Sequence, residues 1–286
     1  MTQGSDTATV MPSAKKASGG TAIAVPSTKR AKRRSLHDVG LVAISLGGGL
    51  IVWELVGRFV ITNRLFFAPL SEVIESIVRM TAEGVLVNDF LVTGQEVLSG
   101  LVLAIIVGVI VGFLIGLSRP IRIMTQPWIN ALYATPLAAL APLFILWFGI
   151  GMESKVATAF VSAVFPIIIN SAAGIVTTDQ NLINVSRSFG HSKGQVFVKV
   201  LLPSALAFIA TGIRLAVGRA LVGAVVAELF GAQAGLGFRI LASGQAFQTA
   251  DLLGAVLVLA VTGVVALTLV ERLERRLAPW RREVEL

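Results

Sequence analysis

Residues 97 to 118 read VLSGLVLAIIVGVIVGFLIGLS, an apolar run without one ionisable side chain. Crossing a hydrocarbon layer about 30 Å thick takes roughly 20 apolar residues wound as a helix, and this run supplies them. Working outward, comparable stretches occupy residues 39 to 61, 128 to 150, 156 to 177, 204 to 230 and 251 to 271. The short alternating segments of a membrane β-barrel do not occur. The sequence therefore predicts an all-α membrane protein with six transmembrane helices.

Composition agrees with that reading. Of 286 residues, 55% are hydrophobic and 14% charged, too little charge to cover a soluble domain of this size. The absence of Cys excludes disulfides and thiolate-bound metals. The two histidines, His37 and His191, lie outside the runs, so no intramembrane histidine cluster can hold a metal or act as a base. No catalytic residue and no metal ligand is predicted.

The net charge of +8 does not point to nucleic acid, because the basic residues follow the span boundaries. Seven Lys and Arg lie in the segment from Lys15 to Arg34, two in residues 119 to 127, three in residues 184 to 203 and five after residue 271. The segments on the other side hold Arg64, Arg79, Lys155 and Arg239. Cytoplasmic segments of membrane proteins carry this excess, which places both termini and residues 184 to 203 in the cytoplasm. Trp128, Trp147 and Trp280 fall near the proposed boundaries, as interfacial tryptophans do.

Residues 1 to 35 have no apolar period and read as a disordered basic cytoplasmic tail, followed by a membrane domain over 36 to 282. Between the first two spans, Pro69 and short apolar turns suggest an amphipathic outer helix. Gly100, Ala104, Gly108, Gly112 and Gly116 put a small residue at every fourth position of the second span, and Gly212, Ala216, Ala220 and Ala224 repeat the device in the fifth. Such ridges let helices approach closely, either within one subunit or at a seam between two copies. Pro136 and Pro142 interrupt the third span, which is read as one bent helix, either lining a cavity or simply kinked.

Arg214 and Arg219 sit near the middle of the fifth span, where each unpaired arginine costs about 2.5–3.5 kcal/mol. Five positions at about 100° each set them about 140° apart, so both cannot face one pathway. Glu228 lies about 13.5 Å beyond Arg219 along the axis, so its partner must come from elsewhere. An electropositive path near Arg219 with Glu228 at its outer mouth competes with buried structural pairing. Glu54, beside Trp53, is expected to meet a buried donor.

The segment 184 to 203, NVSRSFGHSKGQVFVKVLLP, is basic between two apolar runs. Gly190 fits the end of a short helix over about 181 to 189. Ser192 with Gln195 has capping-box spacing and starts a second short helix, with Val196, Phe197, Val200 and Leu201 along one side and Lys193 and Lys199 solvated. Pro203 suits the start of the next span. The apolar side either packs on the chain itself or receives a partner.

Gly190, nine residues, Val200, one residue and Leu202-Pro203 resembles the cytoplasmic loop signature of ABC importer permeases: Glu-Ala-Ala, three residues, Gly, nine residues, Ile, one residue, Leu-Pro. Asn184, Val185 and Ser186 stand where Glu-Ala-Ala is usual. The resemblance covers roughly residues 64 to 282. FFAPLSEVI (66 to 74), ATPLAALAPLFILWFGIG (134 to 151), FPIIINSAAGI (165 to 175) and ERLERRLAPW (271 to 280) are similar to permeases of the nitrate, sulfonate, taurine and bicarbonate group.

That resemblance implies a type I importer permease in a bacterial inner membrane, paired with a second copy as a homodimer and surrounded by lipid. It also implies two ATPase subunits and an extracytoplasmic solute-binding protein. The loop 179 to 203, with Asn184, Ser186, Gly190, Ser192, Phe197, Val200, Leu202 and Pro203, would dock on the ATPase. Pro136, Pro142, Arg214, Arg219, Glu228, Gly235 and Gly237 are the pathway and gate candidates, for a small anion. The chain lacks any Gly-Lys dipeptide and so has no phosphate-cradling P-loop; ATP and Mg would belong to the partner. An ion-coupled secondary transporter is the alternative, although intramembrane carboxylates are sparse and no internal repeat is visible.

Overall fold

A computed structural model describes residues 29 to 277, and every element among them is helical. Contacts divide the chain into residues 1 to 51 and 52 to 286. Five helices are long and apolar enough to cross a membrane, over Gly40–Val60, Val85–Leu117, Met152–Val176, Lys193–Gly231 and Thr249–Arg272. A bent pair, Arg119–Ala134 with Leu137–Phe148, makes a sixth if taken as one span.

Helix α1 (Lys29–Leu55) begins inside the stretch expected to be a disordered tail. Lys, Arg and Ala are good helix formers, and residues 29 to 39 hold neither Gly nor Pro to stop them, so the basic cluster rides on the helix. Residues 1 to 28 and Trp280 lie outside the described residues. The amphipathic outer helix is α2 (Leu70–Ala82), which buries Val73, Ser76 and Met80. Glu54 caps its start, accepting the backbone amide and the hydroxyl of Ser71, each at 3.0 Å. The donor expected for Glu54 is thus an orphan amide of a helix N-terminus, although this site is not buried.

The core is three helices deep. Helix α6 (Met152–Val176) lies between α3 (Val85–Leu117) and α9 (Leu202–Gly231) along most of its length. Both small-residue ridges face it. A Cβ placed on Gly100, Gly108, Gly112 or Gly116 would come within 2.6–2.8 Å of the Cβ of Ala159, Ile167, Ser171 or Ile175 respectively. From the other side Ala216, Ala220 and Ala224 are fully buried, and Gly212 backs onto Pro166 and Ile167. The ridges therefore serve packing within one chain, leaving the large apolar side chains of α3 and α11 (Thr249–Leu277), such as Ile110, Leu114, Val264 and Leu269, to face outward, as a lipid surround requires.

The third span departs from expectation. It is not one bent helix over 128 to 150 but two, α4 (Arg119–Ala134) and α5 (Ala141–Phe148), with a bend of 80° between them. Pro136 makes the break: the residue before a proline is pushed out of the α region, and Thr135 has ψ 139°. Pro142 does not contribute, because it sits in the first turn of α5, where no amide hydrogen is needed. Residues 119 to 127, which lie between the two expected spans, form the first turns of α4.

The loop after α6 also differs. Helix α7 (Gln180–Ser188) ends before Gly190, whose φ of 76° is left-handed, as expected. Ser192 and Gln195 form the complete capping box that starts α8 (Lys193–Val196). That helix does not end before the next span. It runs through a π-helical turn, Phe197–Leu201, directly into α9. No glycine interrupts this stretch, and the widened turn gives room to the Pro203 ring, which would otherwise press on the Lys199 carbonyl. After α9 a short loop leads to α10 (Leu236–Gln245), which packs on α9 and α11.

Candidate functional site

Among the described residues, three polar groups hold the candidates that the sequence singled out. The first is the 179 to 203 loop. Asp179 caps α7 by accepting the Asn181 amide at 2.8 Å. Ser186, buried, meets His191 Nδ1 at 3.0 Å, and the Lys199 ammonium reaches His191 Nε2 at 3.2 Å. An ammonium can only donate, so Nε2 accepts and Nδ1 carries the hydrogen offered to Ser186. This bridge ties α7 to the base of α9.

The apolar side of the loop's second half is already covered. Val196 is buried, and the ring of Phe197 meets that of Phe113 on α3 edge to face, 5.5 Å between centroids. Leu201 joins the same cluster with Ile175, Ala205 and Ile209. Besides Val198, what the loop leaves outside is one side of α7 and its C-cap: Leu182, Val185 and Phe189, the last 79% exposed. They stand at positions i, i+3 and i+7 and so share one face. Asn184 and Ser192 are exposed beside them, while Val200, Leu202 and Pro203 are half-buried at the root of α9.

The second group lies at the opposite end of α3. Asp89, Thr93 and Glu96 are buried on one stripe, which continues into the glycine ridge at Gly100. Thr93 donates to Glu228 Oε1 at 2.6 Å and accepts the Leu236 amide at 2.8 Å. Glu228 Oε2 takes the Gly237 amide at 2.5 Å. Asp89 accepts the Gly235 amide at 2.9 Å and pairs with Arg239 at 2.7 Å. The start of α10 is thus held by three side chains that accept its orphan amides. Both glycines are required here: a Cβ on Gly235 would strike the Glu228 carboxyl at 2.5 Å and one on Gly237 would meet Oε2 at 2.7 Å, while Gly235 also has φ 120°. Lys155, buried at the start of α6, donates to the carbonyls of Ile150, Gly151 and Gly231.

The third group holds the two arginines, and the structure separates them as helical geometry requires. Arg214 pairs with Glu274 on α11. Arg219 lies with its guanidinium 4.4 Å from the centre of the Tyr133 ring on α4. Its side chain is exposed on this chain, and the ring it meets stands three positions before Pro136. A guanidinium left facing lipid costs about 2.5–3.5 kcal/mol on insertion scales.

Residues 100 to 283 match the family model described as binding-protein-dependent transport system inner membrane component. The chain belongs to that family.

Among relatives of this inner membrane component, the taurine transport system permease protein TauC of Escherichia coli (strain K12) is 31% identical over 258 residues, 88% of this chain and 92% of that one. The formylaminopyrimidine transport permease protein ThiX of Halalkalibacterium halodurans is 29% identical over 234 residues, covering 82% and 93%. Among solved structures, the MetNI methionine ABC transporter in an inward-facing conformation matches with a TM-score of 0.62 at 18% identity, over 69% of this chain and 98% of that chain, a likeness of fold. This chain is therefore a multi-pass permease subunit of a binding-protein-dependent ABC importer, a class in which ATP hydrolysis resides in a separate subunit.

Of the residues singled out in the sequence, Glu228, Gly235 and Gly237 come together. Arg214, Arg219 and Pro136 do not join them, and Pro142 is a helix start. Sequence reading missed Asp89, Thr93, Glu96 and Lys155. The signal was there: the ridge 100, 104, 108, 112 extends backward through 96, 93 and 89 in helical steps of four, three and four, and polar residues on a buried stripe are expensive unless paired.

Proposed function

We propose that this permease subunit carries a small anion, of the sulfonate or related organic acid class, along a path flanked by Arg219, and that a separate ATP-hydrolysing subunit drives it through α7. The exposed apolar face of α7, Leu182, Val185 and Phe189, supports the reading most strongly, because it stands on a loop locked to α9 through Ser186, His191 and Lys199. A push on α7 is therefore passed to the helix that bears Arg219 and Glu228. The docking residues Asn184, Ser186, Gly190 and Ser192 shape this loop, whereas Phe197, Val200, Leu202 and Pro203 act as its hinge against α3 and α6 rather than as contact surface.

Two copies of the chain form the path, with the exposed sides of α4, α5 and α9 toward each other, both termini and residues 179 to 203 on the cytoplasmic side, and lipid against α3 and α11. A solute-binding protein delivers the anion at the opposite face, where Glu228 and the Gly235 to Gly237 turn hold α10 as part of the gate. ATP and Mg bind to the partner subunit. The relatives' named cargoes, taurine and formylaminopyrimidine, show that the fold accepts different solutes, and Arg219 favours an anion here.

Reconstitution tests this. Vesicles holding this permease with its ATPase and binding-protein partners should take up a labelled sulfonate only when ATP is supplied on the α7 side. Uptake driven by an ion gradient with the ATPase omitted would establish a secondary transporter instead.

A further inference from the structure

The bridge that ties α7 to the root of α9 is built on a histidine, the side chain suited to change its charge between about pH 5 and about pH 8. His191 Nε2 accepts from the Lys199 ammonium at 3.2 Å, and Nδ1 keeps the ring's single hydrogen for Ser186 at 3.0 Å. That arrangement requires a neutral ring. An ammonium can only donate, so the bond from Lys199 exists only while Nε2 is bare.

A proton arriving at Nε2 turns the acceptor into a donor and sets two positive groups 3.2 Å apart. The bond from Nδ1 to Ser186 survives, and the bond from Lys199 does not. The surroundings do not offset the added charge. Arg187 on α7 and Lys193 on α8 are also basic, and among the described residues none of Arg187, Lys193 and Lys199 has a carboxylate partner. Asp179, the acid of this loop, caps the Asn181 amide at the far end of α7 from His191. The ends of α3 and α6, residues 113 to 118 and 170 to 178, and the first turns of α9, residues 202 to 213, carry no ionisable side chain. Lys199 is exposed and free to swing into water, so the protonated bridge opens on its α9 side.

We infer that His191 is a proton-operated catch: neutral, it fastens α7 to α9; protonated, it releases Lys199 and loosens the loop. The catch is a property of the folded chain. Its consequence rests on the proposed function, because a push on α7 reaches α9 less firmly when the α7 side turns acidic. The neighbouring bonds of Ser192 with Gln195 and of Ser188 with the Asn184 carbonyl use uncharged groups, so the response to protons belongs to His191.

The chain has no Cys, so spin labels go only where a cysteine is introduced. Labels at Asn181→Cys on α7 and Leu215→Cys on α9, both exposed, report the spread of the α7–α9 distance in the full-length permease in nanodiscs, diluted with unlabelled chain so that only distances within one copy count. Neither ATPase nor solute is present, so the measurement fails or succeeds apart from the proposed transport function. From about pH 8 to about pH 5.5 the distance distribution should widen roughly twofold or more. His191→Gln, whose amide can donate to Ser186 and whose carbonyl can accept from Lys199 without titrating, should keep it narrow at both. Lys199→Gln removes the second positive charge; its amide can donate to a bare Nε2 and its carbonyl can accept from a protonated one, so it too should flatten the response and keeps the test decisive if His191→Gln fails to fold. A distribution unchanged by pH in the parent chain, or a widening that persists in either variant that folds, would overturn the proposal.

Discussion

Gly112 on α3 approaches Ser171 on α6 so closely that a Cβ on the glycine would lie 2.6 Å from the Cβ of Ser171. That separation leaves no room for any side chain, and it is repeated at Gly100, Gly108 and Gly116 against other residues of α6. The whole α3–α6 seam is set by the absence of four methyl groups. Replacing Gly112 by Leu should force the helices apart and lower stability by about 1–3 kcal/mol, with Gly48→Leu on α1, where a Cβ meets nothing, as the control. Detergent-solubilised thermal unfolding of both variants checks it; equal Tm values would show that the seam has slack.

Glu228 should be structural before it is anything else. Its carboxyl holds the Thr93 hydroxyl and the Gly237 amide in a fully buried site. Removing it in Glu228→Ala orphans both donors and should cost about 1–3 kcal/mol. Hydrogen exchange at the first turn of α10 is the measurement, because loss of the cap frees those amides while the α3–α6 seam stays protected. Unchanged exchange at Gly237 would show that another group holds the turn.

The two arginines should part company on mutation. Arg214 is tied to Glu274 and Arg219 rests on an aromatic ring with its charge exposed. Arg219→Ala should reduce ATP-driven anion uptake by tenfold or more and leave assembly and Tm nearly unchanged, since a cation–π contact at an exposed site is worth about 0.5–1 kcal/mol. Arg214→Ala should show the reverse pattern, a lower Tm with residual uptake. Assembly lost in Arg219→Ala would place that arginine among the structural residues.

Phe189→Asp should uncouple the transporter without unfolding it. The side chain is 79% exposed, so the folded chain loses almost nothing, while an ATPase groove receiving it would have to bury a carboxylate. Co-purification of the ATPase should fall at least tenfold with Tm held. By contrast Phe197→Ala strips an edge-to-face contact with Phe113 and should lower Tm first. If Phe197→Ala alone abolished ATPase binding, the docking face would be the other half of the loop.

Much of the fold was legible because lipid imposes few solutions: long apolar runs must become helices that satisfy their own backbone. The capping box at Ser192 and Gln195 and the glycine stop at Gly190 were legible for a similar reason, since a cap involves residues a few positions apart. The break at Pro136 was legible as a disturbance but not as an 80° bend, because the angle depends on what α5 packs against.

The apolar runs, the two small-residue ridges and the loop signature are properties of nearby residues, and the sequence by itself determined them. Which helix each ridge met, which half of the loop remained outside, and that Glu228 answers to Thr93 across 135 positions were decided only in the tertiary structure. The reason is physical: a four-residue period names the buried stripe of a helix, but the partner on the other side is selected by volume and by hydrogen-bond demand, which no single segment carries.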